Sequence, residues 1–134
     1  MKHLISLLFI LMLLGSCKSS EETKSPKETV EAYLAATNRF DDESAKDFLI
    51  LNKDNLMLLE TLKKMEKSLP DEQKERFLNK EKEAVYFEKE VTDSTAKIIV
   101  SPREITMPIE FNLKKRNNKW LIESVLSKKL KLYQ

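Results

Sequence analysis

The stretch IEFNLKKRNNKWLIESVL, Ile109 to Leu126, decides the fold of this chain. Apolar and polar residues alternate on both sides of Asn117-Asn118, as in strands with one buried face. Asn tolerates the positive φ that a type I′ turn requires at both central positions. The stretch therefore predicts a β-hairpin whose inner face pairs Leu113 with Ile122, Phe111 with Ser124, Ile109 with Leu126 and Lys115 with Trp120.

Two further runs before this hairpin share the two-residue period of strands. Residues 84–92 and 95–101 flank Asp93-Ser94, which predicts a tight hairpin with Glu90 opposite Lys97. The run from Ile105 to Lys115 predicts a strand with one apolar face. Its other face is expected to meet solvent and carries Thr106, Pro108, Glu110, Asn112 and Lys114. Together these segments predict an antiparallel sheet of about four strands.

The residues before the strands carry helical signals. Ser25-Pro26-Lys27-Glu28 combines a Ser N-cap, Pro at the first helical position and Glu at N3, which completes a capping box. A single stripe of residues then follows at helical spacing: Val30, Tyr33, Leu34, Thr37 and Phe40. We therefore expect a first helix that begins at Ser25.

Three more helical segments are predicted before the sheet. Asp41-Asp42 is expected to cap a short second helix. Residues 52–69 predict a third helix, with Glu66 at the rim of its inner side, which carries Leu56, Leu59, Leu62, Met65, Glu66 and Leu69. Pro70 begins a fourth segment, to about Lys82, with Phe77 and Leu78 to bury. Helices followed by strands predict one α+β domain over residues 26–134, in which three to four helices pack on a curved antiparallel sheet.

The amino terminus has the pattern of a secretory signal peptide over residues 1–16. Lys2 and His3 precede an apolar run, Leu4 to Leu14, that is too short for a permanent transmembrane span. The sequence Leu14-Gly15-Ser16-Cys17 resembles the lipobox of bacterial lipoproteins. That resemblance implies that Cys17 receives diacylglycerol and further acyl chains such as palmitate, which accounts for the single cysteine. The alternative is a buried amino-terminal helix with a thiol in the core.

Residues 17–25 are expected to be the lipidated Cys and a flexible tether, because residues 18–25 contain no apolar side chain to pack. Ser20-Glu21-Glu22 within this tether looks like the acidic tags that send some lipoproteins of Bacteroidota to the cell surface, and an ordinary acidic linker is the alternative. The expected location is the cell envelope, with a lipid anchor in the outer membrane and the surface tag as a further address.

Composition excludes several functional classes. Loss of the signal peptide leaves 23 basic and 22 acidic residues, so no charge footprint for nucleic acid is present. His3 and Gly15 leave with the signal peptide and Cys17 is acylated. No Ser-His or Cys-His nucleophile, ordinary zinc site or glycine-rich phosphate loop is therefore expected. We predict no catalytic residue, no metal and no cofactor.

The remaining carboxylates have structural interpretations. Asp41, Asp42 and Glu43 form the densest acidic cluster, which helix capping explains, with a calcium site as the alternative. Glu88 and Glu90 share a strand face with Tyr86, and this face is assigned to solvent.

Two stretches, Ser25 to Leu49 and Ile109 to Leu126, resemble small bacterial lipoproteins of unknown function with a cystatin-like, nuclear-transport-factor-like α+β roll. The resemblance implies a cavity between the first helix and the sheet, with Tyr33, Phe111, Trp120 and Ser124 as candidate lining residues; ordinary core packing is the alternative. Two functions follow. One is a non-catalytic module that binds a small apolar ligand or an envelope protein, and the other is a cryptic carboxylate-based enzyme in the roll cavity.

Overall fold

The computed structural model of the protein describes residues 23–103 and 107–127. In this part of the chain four α-helices precede four strands, which form one antiparallel sheet in the order β1-β2-β3-β4. The predicted α+β class is therefore confirmed. The elements are α1 (Pro26–Asn38), α2 (Asp42–Lys46), α3 (Lys53–Ser68), α4 (Asp71–Glu75), a 3₁₀ turn (Lys80–Lys82), β1 (Val85–Lys89), β2 (Thr95–Ser101), β3 (Ile109–Arg116) and β4 (Lys119–Ser127).

Helix α1 begins with local hydrogen bonds that the sequence encodes, and a residue in the left-handed conformation follows its end. The Ser25 hydroxyl accepts from the Glu28 N–H at 3.1 Å, and the Glu28 carboxylate accepts from the Ser25 N–H at 3.3 Å, which confirms the capping box. At the other end Phe40 lies in the left-handed region with φ 58°. This conformation is unfavourable for a bulky residue. Burial of the Phe40 ring and its edge-on contact with Phe77 offset that cost.

The final hairpin turns where the sequence predicted. Asn117 and Asn118 have φ values of 51° and 61°, as a type I′ turn requires. Next to the turn, Leu113 pairs with Ile122 and Lys115 with Trp120, and both predicted pairs are confirmed.

The register of the same hairpin changes farther from the turn. A β-bulge leaves Glu123 without a partner in β3, so Ser124 pairs with Asn112 and Phe111 pairs with Val125. The predicted pairs Phe111 with Ser124 and Ile109 with Leu126 are therefore wrong. One extra residue in β4 moves Ser124 to the outer sheet face, where its hydroxyl accepts from the Asn112 amide at 3.0 Å.

The first hairpin also departs from its predicted register. Lys97 pairs with Lys89, not with Glu90, although the Glu90 carboxylate still lies 3.2 Å from the Lys97 ammonium. Tyr86 pairs with Val100, a core residue, and is partly buried. The assignment of this face to solvent was therefore wrong for Tyr86, whereas Glu88 and Glu90 are exposed as predicted.

The core lies between the inner sheet face and the helices. It is formed chiefly by Val30, Tyr33, Ala36, Leu59, Leu62, Ile98, Val100, Phe111, Leu113, Trp120 and Ile122. In α3 the structure buries Asn55 completely and leaves Leu56 49% exposed, so the predicted inward position of Leu56 is wrong.

The predicted fourth helix is shorter than expected. It ends at Glu75, and Asn79 takes a left-handed conformation before the 3₁₀ turn. Phe77 and Leu78 are 38% and 47% exposed, so their predicted burial was wrong. Two apolar residues do not make a stripe that could hold a longer helix on the core.

Candidate functional site

Three of the four candidate lining residues are packed in the core. The Tyr33 and Phe111 rings meet edge to face with centroids 6.1 Å apart, and Phe111 is only 1% exposed. Trp120 is 8% exposed, with the Lys115 ammonium 5.7 Å from its ring centroid. Ser124 lies on the other sheet face, as the register shows. The structure therefore brings Tyr33 and Phe111 together and separates Ser124 from them.

Burial also sets the proton affinity of the core tyrosine. It raises the pKa of Tyr33 from 10.0 to about 12, because the phenolate would lose its hydration. The hydroxyl is therefore neutral at physiological pH.

A pocket with a volume of about 480 Å³ opens elsewhere, beside the last turns of α1. Its second wall is the segment of residues 73–84, and its third is formed by the end of β2 and the start of β3. We call it the α1 pocket. None of the four candidate residues lines it. Its apolar lining residues are Leu34, Phe77, Ala84, Val100, Pro102 and Ile109.

Phe77 owes its place in the α1 pocket to the turn that ends α1. Its ring contacts Phe40 edge-on at a centroid distance of 5.5 Å, and the Lys74 ammonium lies 6.0 Å from the Phe40 centroid. The left-handed Phe40 thus holds one side of the pocket wall in place. Phe77 remains 38% exposed and lines this pocket.

Two carboxylates of the α1 pocket are already engaged. The Glu81 carboxylate accepts from the Asn38 amide at 2.9 Å, and the Glu83 carboxylate lies 3.6 Å from the Lys80 ammonium. The Tyr86 hydroxyl donates to the Glu81 carbonyl at 2.6 Å. Burial, and then the carboxylates of Glu31 and Glu81, raise the pKa of Tyr86 to about 12, which keeps this donor protonated.

Two guanidinium groups complete the rim of the α1 pocket. Arg76 follows the short helix α4, and Arg103 follows β2 and Pro102. Both are exposed, and neither forms an ion pair with a carboxylate of residues 23–103 or 107–127. Among the lining residues that the structure describes, three side chains are cationic and two are carboxylates, so this described part of the lining carries a net positive charge.

Sequence reasoning missed the α1 pocket because its wall has no periodic motif. The available signal was the shortage of apolar residues between Pro70 and Glu83, a segment with too little apolar surface to seal against α1. The cationic residues in this segment resembled an ordinary solvated helix face.

The acidic cluster at the start of α2 has a structural role. The Ser44 hydroxyl and N–H donate to Asp41 at 2.7 and 3.1 Å, and these bonds lower the pKa of Asp41. Asp42 pairs with Lys63 of α3 at 3.6 Å. The carboxylates therefore cap α2 and tie it to α3. No group of three or more potential metal ligands occurs among the residues that the structure describes.

The outer sheet face is less solvated than the alternating pattern predicted. Glu110 is only 5% exposed, because its register neighbours Ile99 and Leu126 lie on either side. Its carboxylate lies 3.9 Å from the Lys97 ammonium and 3.4 Å from the Asn112 amide. The prediction that Glu110 faces solvent was therefore wrong.

Cys17 and the segment before it lie outside the described residues, and so does Ile105, where the sequence predicted the strand to begin. Among the helices that the structure describes, none has the length and apolar character needed to cross a membrane. Comparisons of the chain with protein-family models, curated proteins and solved structures give no match, so the function must be inferred from the site itself.

Proposed function

We propose that this chain is a non-catalytic binding module of the bacterial cell envelope, held at the membrane by lipid on Cys17. The observation that carries the binding function is the α1 pocket. Its volume of about 480 Å³ lies within the range of roughly 300–1,000 Å³ typical of small-molecule sites. Its apolar lining suits the hydrocarbon part of a ligand.

The state of the pocket carboxylates favours binding over catalysis. Acid–base chemistry requires a carboxyl group that is free to reach the substrate. Glu81 is hydrogen-bonded to Asn38, and Glu83 is paired with Lys80. We therefore assign these side chains to the construction of the pocket.

The proposed anchor rests on the Leu14-Gly15-Ser16-Cys17 sequence and on the polar tether after it. Several acyl chains on one cysteine give stable attachment, whereas a single chain is reversible. The tether would let the domain reach ligands at the membrane surface. We also propose that the helices and sheet form the cystatin-like roll that the sequence resembles.

The test of the binding function is photolabelling of the purified full-length protein in detergent with a diazirine analogue of dodecanol. We expect labelled peptides to map to the α1 pocket, chiefly to the wall that contains Phe77 and Ala84. Ala84→Phe fills the pocket and should abolish this labelling. Val85→Phe is the matched control, because Val85 is the next residue, is 53% exposed and does not line the pocket.

Labelling of the pocket that survives Ala84→Phe, or labelling spread evenly over the surface, would contradict the proposed function. Thermal unfolding of both variants separates loss of the pocket from loss of the fold. The two variants should unfold within a few degrees of the unsubstituted protein.

A further inference from the structure

We propose that the natural ligand of the α1 pocket is a single-chain amphiphile with an anionic head, and that Arg76 and Arg103 bind this head. The inference rests on the proposed binding function and adds the charge and class of the ligand. It is carried by one juxtaposition, in which two arginines without an ion-pair partner in the described chain border an apolar cavity.

The charges of the α1 pocket are arranged in two groups. Its carboxylates are paired within the protein: Glu81 with Asn38 at 2.9 Å and Glu83 with Lys80 at 3.6 Å. The guanidinium groups of Arg76 and Arg103 have no such partner in residues 23–103 and 107–127. The positive charge available to a ligand therefore comes from these two side chains.

Guanidinium is well suited to anionic heads. Its planar fork of N–H donors matches both carboxylate and phosphate oxygens, and it keeps its charge at every physiological pH. Because Arg76 and Arg103 are exposed, they can bind the head without first losing their hydration in a closed site. A long-chain carboxylate or a monoalkyl phosphate fits this chemistry.

The apolar part of the ligand has its own place. Leu34, Val100 and Ile109 come from α1, β2 and β3, so three elements of the stable core form the inner wall. An acyl chain that enters from the arginine rim would cover this wall. Burial of apolar surface supplies most of the affinity, and the arginines select for charge.

The test compares two photoprobes that share a chain and differ in the head: the diazirine analogues of dodecanoic acid and of dodecanol. We expect the acid to label the α1 pocket about fivefold more efficiently than the alcohol, the size of one exposed charge contact. Unlabelled dodecanoate and dodecyl phosphate should both compete, and their relative strength identifies carboxylate or phosphate as the preferred head. Dodecylammonium should compete weakly.

The substitutions are Arg76→Gln and Arg103→Gln, singly and together. Each single substitution should lower labelling by the acid about twofold, the double substitution should lower it about fivefold, and labelling by the alcohol should stay unchanged. Arg116→Gln removes the same charge at the opposite end of β3 from the pocket residue Ile109. Arg116 does not line the pocket, so this variant should change labelling by neither probe.

The outcomes separate the two proposals. Equal labelling by acid and alcohol, or full labelling of the double variant by the acid, overturns the anionic-head inference and leaves the binding function intact. If neither probe labels the α1 pocket, the proposed function itself fails. Competition by dodecylammonium as strong as that by dodecanoate would also overturn the inference.

Discussion

Replacement of Asn55 by Ala should destabilise the protein far more than its polar character suggests. Asn55 is fully buried in the first turn of α3. Its amide donates to the carbonyls of Ile50 at 2.8 Å, Ile122 at 3.0 Å and Glu123 at 3.1 Å. The side chain thus joins a helix, the loop before it and the bulged strand β4.

The expected loss of unfolding free energy depends on the hydrogen bonds that each carbonyl keeps when the Asn55 amide is removed. The carbonyls of Ile50, Ile122 and Glu123 keep one other donor each: the Asn52 N–H, the Ile50 N–H and the Asn52 amide, all at 2.8 Å. No carbonyl is therefore left without a bond, and the loss is that of two N–H donors at about 1 kcal/mol each, plus a small cavity. We expect the free energy of unfolding to fall by about 2–3 kcal/mol.

Leu56→Ala is the matched control, because hydrophobic periodicity alone would place Leu56, not Asn55, in the core. Leu56 is 49% exposed, so its truncation should cost no more than about 1 kcal/mol. Urea unfolding of the full chain, followed by circular dichroism, gives both values. In thermal unfolding, 1 kcal/mol corresponds to about 4–8 °C for a domain of this size.

The reverse order would refute the orientation of α3. If Leu56→Ala costs the 2–5 kcal/mol typical of a core leucine and Asn55→Ala costs less than about 0.5 kcal/mol, then α3 is rotated from the position described. Asn55→Asp adds a second check. The buried carboxylate would face three carbonyl oxygens, so its folded pKa must rise above about 3.9 and the variant must lose stability as pH rises through that folded value.

Three other outcomes are expected. Asn118→Val should cost more than about 0.5 kcal/mol, because a β-branched residue resists a φ of 61°, whereas Asn118→Gly should be close to neutral; equal thermal midpoints would place the turn elsewhere. The pKa of Tyr33 is raised from 10.0 to about 12, so its contribution to stability is complete below pH 10 and is lost as pH rises toward 12. Tyr33→Phe should therefore flatten the decline of stability in this window, and an unchanged decline would show that Tyr33 is not the titrating group. Cys17→Ala should release the protein from membranes during a high-salt wash, and a processed variant that stays bound would contradict the lipid anchor.

Features fixed by neighbouring residues could be predicted from the sequence. The capping box at Ser25, the Asp41 cap and the turn at Asn117-Asn118 all satisfy their hydrogen bonds or dihedral angles within four residues. The alternating strands and the α+β class followed from the period of apolar residues. These signals do not depend on which distant segment packs against them.

Features fixed by distant segments could not be predicted in this way. The bulge at Glu123 is bound by a distant segment, because Asn52 at the N-cap of α3 and Asn55 in its first turn both donate to the Glu123 carbonyl. Hydrophobic periodicity predicts that Asn55 faces outward, although its amide donates to the Ile122 and Glu123 carbonyls of β4. The α1 pocket escaped prediction for a related reason, since its walls come from segments that are far apart in the sequence: α1, residues 73–84, and the ends of β2 and β3.

The bulge explains why the core beneath Phe111 is filled. Without it, the small hydroxyl of Ser124 would face Phe111, as the regular alternation predicts. Because the bulge leaves Glu123 without a partner in β3, Val125 pairs with Phe111 and packs an aliphatic side chain against the core. The inner face of the final hairpin is thus packed with buried side chains.

The α1 pocket, by contrast, combines a firm wall with a less stable one. Val100 and Ile109 belong to paired strands, and Leu34 to α1. The opposite wall, residues 73–83, is held largely by short i to i+3 bonds, such as those from the Phe77 N–H to Lys74 at 3.1 Å and from the Lys80 N–H to Phe77 at 3.3 Å. Segments with few buried apolar contacts open at lower free energy than the core. A ligand between the two walls must therefore stabilise residues 73–83 most, and the arginine that this segment carries, Arg76, would be drawn into place as the pocket fills.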